Sequence, residues 1–96
     1  MIDLYYWPTP NGRKVSILLE EIEVPYKIIP IDINNKKQFS KDFTAISPSN
    51  KIPAIIDHET NKHLFESSAI MFYLAKKYNR FLPEKHYWET QEWLMF

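Results

Sequence analysis

Apolar positions along the chain switch between two periods, and the switches mark out the elements. Ile2 to Tyr6 is a short, β-prone run of apolar and aromatic residues and predicts a first strand. Pro8 and Pro10 stop it, in a loop from Trp7 to Gly12 that carries the only glycine of the chain. From Arg13 to about Glu23, Val15, Leu18, Leu19 and Ile22 fall at i, i+3, i+4 and i+7, which predicts an amphipathic helix. Asn11 or Gly12 is expected to cap it and Pro25 to end it. Tyr26 to Ile31 reads as a second strand, and Pro30 points to a sheet edge because proline cannot donate to a ladder. Strand, helix and strand in about thirty residues make a βαβ unit, with the two strands parallel.

The polar stretch from Asp32 to Lys41 is followed by a short helix expected around Ser40 to Ile46, with Phe39, Phe43 and Ile46 as apolar anchors. A Ser47-Pro48-Ser49-Asn50 turn comes next. Ala54 to Asp57 and His63 to Phe65 are two more strands, and the short polar linker between them makes the pair an antiparallel hairpin. Ser67 to Tyr78 reads as a helix with Ala69, Ile70, Tyr73 and Leu74 as its buried face, closed by Asn79 and Arg80. The fold class is therefore α/β: a βαβ-α-ββα domain over residues 1–79 with a four-stranded mixed sheet. Residues 80–84, with Pro83, form a linker. Over residues 85–96, Tyr87, Trp88, Leu94 and Met95 fall on one stripe, and Trp93 and Phe96 add apolar surface. That segment is expected to be the first helix of a truncated all-helical domain. The alternative is a tail that folds back on the domain or mediates dimerisation.

Composition narrows the chemistry. Twelve basic and twelve acidic residues balance, with no basic stripe, so nucleic acid has no electrostatic footing and an anionic membrane surface little. The 96 residues suffice for one small domain, and 45% hydrophobic and 16% aromatic content fits a packed core. Cysteine is absent, which removes disulfides, thiolate metal sites and a cysteine nucleophile. No basic segment followed by an apolar run opens the chain, and no stretch approaches the roughly 18 apolar residues of a membrane span, so the expected compartment is the cytoplasm. His58, His63 and His86 show no metal-ligand spacing, and no metal is expected.

The candidate chemistry gathers between Asn50 and Leu74. Pro53 belongs just ahead of the third strand, and Ile52 before it can offer its own N–H and C=O to another backbone. Glu66 and Ser67 sit where a helix start presents unpaired N–H groups and a positive dipole end. A peptide-like ligand with an anionic, zwitterionic head would satisfy both features. Taken alone, Glu66-Ser67-Ser68 reads more readily as an ordinary helix start, and a trans Pro53 that simply starts a strand is favoured.

Three ordered motifs tip this balance: Trp7-Pro8-Thr9-Pro10-Asn11-Gly12-Arg13-Lys14-Val15, then Ile46 through Ile55 with Asn50-Lys51-Ile52-Pro53, then Leu64-Phe65-Glu66-Ser67-Ser68-Ala69-Ile70. Together with the element order they resemble the thioredoxin-like N-terminal domain of glutathione transferases, most of all the bacterial nu-class branch with its glutathione-dependent disulfide-bond oxidoreductases. The resemblance covers residues 2 to about 83. It implies a cis Ile52–Pro53 bond and glutathione as co-substrate, reacting with a small disulfide, peroxide or electrophile in a protein that is a homodimer at full length. It implies that Ser67 holds the γ-glutamyl carboxylate, Glu66 the glutamyl ammonium and Ile52 the cysteinyl backbone. Gln38, Asn50 and Lys51 would lie near the glycyl carboxylate, and Thr9 and Asn11 near the sulfur. The alternative within the resemblance is a non-catalytic binding or regulatory module, like the fungal nitrogen regulator of the same fold.

Overall fold

The computed structural model describes residues 1–96. Strand β1 (Ile2–Tyr6), helix α1 (Pro10–Glu21) and strand β2 (Tyr26–Pro30) are followed by two single 3₁₀ turns and helix α2 (Lys41–Ile46). Strands β3 (Ala54–Asp57) and β4 (Lys62–Phe65), helix α3 (Ser67–Tyr78), a further 3₁₀ turn and helix α4 (Tyr87–Met95) complete the chain. The sheet runs β2-β1-β3-β4, with β1 parallel to β2 and the other two pairings antiparallel, the thioredoxin-like arrangement. Pro30 lies in an edge strand, where its missing donor costs no ladder bond.

Alternation along the strands divides the core. Ile2 and Leu4 of β1 and Ile55 of β3 face α1 and α3, where they bury Val15, Leu18, Leu19, Ile22, Ile70 and Leu74. On the opposite face Ala54 packs with Phe43 of α2 and with Ile31, and Tyr5 and Ile52 lean on that second cluster. Glycine is required at position 12 by packing: a Cβ there would be driven into the Trp7 carbonyl oxygen.

Several local details differ from the sequence expectation. Helix α1 begins at Pro10, and its cap is Thr9, whose Oγ1 accepts from the Gly12 N–H at 3.1 Å; Asn11 and Gly12 lie inside the first turn. Proline at the first helical position needs no donor, so the loop ends earlier than the apolar pattern shows. On α3 the buried residues are Ile70, Leu74 and Ala75; Ala69 is exposed and Tyr73 only half-buried, its hydroxyl lying between the buried Asp57 and the exposed Thr60. Phe39 is exposed and anchors nothing. On α4 the half-buried stripe is Tyr87, Thr90, Gln91 and Leu94, while Trp88 and Trp93 are 75% and 76% exposed. The helix turns its smaller residues to the domain and its tryptophans outward.

Candidate functional site

The three motifs converge at the end of the sheet where β3 begins. Asn11 from the start of α1, Ser49, Lys51, Ile52 and Pro53 from the segment before β3, and Glu66 and Ser67 from the start of α3 line one polar cleft of about 130 Å³. Six residues singled out in the sequence meet there, and Ser49 joins them without having carried any signal of its own.

The start of α3 is built to leave donors free. Helix α1 is capped by Thr9, and Ser40 caps α2 by accepting from the Phe43 N–H at 3.2 Å. Glu66, at the same position of α3, makes no side-chain cap. Its carbonyl accepts from the Ile70 N–H at 3.0 Å, so the N–H groups of Ser67, Ser68 and Ala69 precede the first helical bond and have no partner in the chain. These donors and the positive end of the helix dipole border the cleft and favour an anion. Glu66 also has φ 74° and ψ 117°, outside the regions that L-residues adopt freely. Backbone held in such a conformation is found most often where a side chain must be aimed.

The wall opposite is a backbone edge. The Ile52–Pro53 peptide bond is cis. Neither the N–H nor the C=O of Ile52 has a hydrogen-bond partner within the chain, so both can pair with an extended ligand. Lys51, beside it, is exposed and joins no ion pair.

Thr9, Gln38 and Asn50 do not line the cleft. Thr9 is two residues from Asn11; one lone pair of its Oγ1 is taken by the Gly12 N–H, and its own proton is uncommitted. Asn50 directs its amide away: Nδ2 donates to the Gln38 carbonyl at 3.1 Å and to Thr44 Oγ1 at 2.6 Å. The Gln38 side-chain oxygen is buried without a partner.

A larger concavity of about 490 Å³ lies at the other end of the sheet, bordered by Ile2, Ile22, Val24, Pro25 and Tyr78 together with Asp57. Its buried carboxylate is fully engaged. Asp57 accepts from the Tyr73 hydroxyl at 2.7 Å, from Lys77 Nζ at 2.6 Å and from the Glu59 N–H at 3.0 Å. Burial pushes this carboxyl up, but the Lys77 ammonium and the other two donors outweigh it and hold the pKa at about 2. Five of its nine lining residues are hydrophobic, whereas the smaller cleft has one hydrophobic residue among seven. Sequence reading missed the Asp57–Tyr73–Lys77 network, since its members are 16 and 20 residues apart on two elements.

A family model for the glutathione S-transferase N-terminal domain matches residues 1–76. The disulfide-bond oxidoreductase YfcG of Escherichia coli (strain K12) is 48% identical over 97 residues, an alignment that takes in 96% of this chain and 43% of that protein. Two solved structures superpose closely. A glutathione transferase family member from Pseudomonas fluorescens pf-5, with two glutathione bound, has a TM-score of 0.91 at 46% identity, covering 99% of this chain and 44% of that one. A glutathione transferase from Pseudomonas putida, with one glutathione disulfide per subunit, has a TM-score of 0.93 at 44% identity over the same shares. The chain thus spans less than half the length of these relatives.

Proposed function

The chain belongs to the glutathione S-transferase N-terminal domain family, and on that premise we propose that its cleft binds glutathione as a co-substrate whose thiolate attacks a disulfide, a peroxide or another electrophile. The observation that supports this reading most directly is the meeting, in one cleft, of an uncapped helix start with an unpaired backbone edge.

Glutathione is a short peptide with two carboxylates, one ammonium and one thiol, and the cleft offers a complement to each. The Ser67 hydroxyl and the free N–H groups of α3 take the glutamyl carboxylate, and Glu66 takes the ammonium. The N–H and C=O of Ile52 bracket the cysteinyl unit, as an added antiparallel strand would. Lys51 meets the glycyl carboxylate. The volume of about 130 Å³ is below the roughly 300 Å³ of common small-molecule pockets, so part of the tripeptide lies open at the surface.

This pose delivers the sulfur toward Asn11 and Thr9. The free Thr9 proton and the Asn11 amide donate to the thiolate, lowering a thiol pKa that is otherwise about 8.5 and raising the reactive fraction at neutral pH. These 96 residues hold no cysteine, so the sulfur this cleft would present is the ligand's. The glutathione thiolate attacks one sulfur of the disulfide, forms a mixed disulfide, and expels the other sulfur as a thiolate.

Calorimetric titration of glutathione into the chain tests the site. Ser67→Ala is expected to weaken binding by about 1.5–3 kcal/mol, the range for a hydrogen bond to a charged group, and Glu66→Ala to weaken it as well. No binding by a folded sample would overturn the reading. Turnover of glutathione with a small disulfide then tests the chemistry, which a module for binding alone would lack.

A further inference from the structure

We propose that Asn50 is a positioning residue: with Ser47 it clamps the segment before β3 so that the Ile52 backbone stays presented to the cleft, and it does not itself touch the ligand. This inference rests on the glutathione reading above.

The segment from Ser47 to Lys51 has no regular structure, yet it is tied at Ser47, Asn50 and Lys51. The Ser47 N–H donates to the Phe43 carbonyl at 2.8 Å, which seats the segment on the end of α2. The fully buried Ser47 Oγ donates to the Lys51 carbonyl at 2.8 Å, and the Asn50 N–H donates to the Ser47 carbonyl at 2.9 Å. Asn50 has φ 58°, the left-handed region that Asn tolerates better than most residues. This turn swings its side chain back across the segment, where Nδ2 reaches Thr44 Oγ1 on α2 and the Gln38 carbonyl in the preceding 3₁₀ turn. Thr44 can accept because its own proton goes to the Ser40 carbonyl at 2.8 Å.

Two consequences follow for the cleft. Both amide protons of Asn50 are committed on the side of α2, leaving none for an anionic ligand. The Lys51 carbonyl is also occupied, whereas both the N–H and the C=O of Ile52 remain open beside Pro53. Holding that edge in place before the ligand arrives lowers the ordering cost of binding.

The test compares glutathione with γ-glutamylcysteine, which keeps the cysteinyl unit and lacks glycine. Asn50→Gly preserves the left-handed turn and removes the amide. It is expected to weaken both ligands by the same factor, about tenfold, the scale of one lost hydrogen bond's worth of order. Thr44→Val, on α2 and outside the cleft lining, is expected to weaken both by a smaller common factor and to add nothing in the Asn50→Gly background. A loss confined to glutathione would make Asn50 a direct partner of the glycyl carboxylate and overturn the proposal, as would unchanged affinity in both variants. Absence of binding to the unsubstituted chain would instead remove the glutathione reading itself, and the positioning role with it.

Discussion

Replacing Asp57 by asparagine isolates one charge at nearly constant shape. In the folded chain burial raises the Asp57 carboxyl pKa, but donors from Lys77, Tyr73 and Glu59 win and bring it from 3.8 to about 2. A pKa difference between folded and unfolded chain is worth about 1.4 kcal/mol per pH unit, so the ionised form carries about 2 kcal/mol of stability. The asparagine variant loses this and strands the Lys77 ammonium. That side chain is 16% exposed, and its other acid, Glu59, stands 3.4 Å away and is itself exposed. Removing one member of a buried pair costs about 3–5 kcal/mol; the asparagine oxygen still accepts from Tyr73, so about 2–4 kcal/mol is expected. This is a large share of the roughly 5–15 kcal/mol that holds a small domain together. Urea unfolding at pH 7 should show the midpoint falling with the slope unchanged. The sign with pH follows from the depressed pKa. The stabilisation is complete above 3.8 and is lost as the pH falls toward 2, so the gap between the two proteins should narrow across that window. A gap below about 0.5 kcal/mol at pH 7, the level of an ordinary surface substitution, would refute the reasoning. So would a gap of unchanged size at the acid end.

Thr9 and Gly12 give two further predictions. Thr9→Ala removes the cap on α1 and should cost about 1 kcal/mol in denaturant unfolding. With glutathione bound it should also raise the thiol pKa seen in the pH–rate profile; Thr9→Ser should restore both, and a profile that does not move would sink the role near sulfur. Gly12→Ala forces a Cβ against the Trp7 carbonyl and should destabilise by about 1–3 kcal/mol. A thermal midpoint equal to that of the original chain would show that the start of α1 can shift to make room.

Element order, strand polarity and the edge position of β2 were legible along the chain because they follow from local periods and breakers. Val15, Leu18, Leu19 and Ile22 describe a helix face wherever the helix packs, and Pro25 and Pro30 carry their steric rules with them. The motif residues also kept their spacing: Asn11, Lys51, Ile52, Pro53, Glu66 and Ser67 meet in one cleft because three connections come together at the end of the sheet where β3 begins. Tertiary structure decided which polar group faces which partner. Asn50 is sequence neighbour to two cleft residues, yet its amide is spent on α2 and on Gln38, and Thr9 is drawn into capping α1. Asp57 looked like the last residue of a strand and is the buried hub of a network reaching to Lys77. Trp88 and Trp93 looked like packing residues and point outward, since α4 meets the domain with Tyr87 and Leu94. The physical reason is range: hydrophobic period and turn chemistry act over a few residues, while hydrogen-bond partnership depends on groups far apart in the chain that only packing brings within 3 Å.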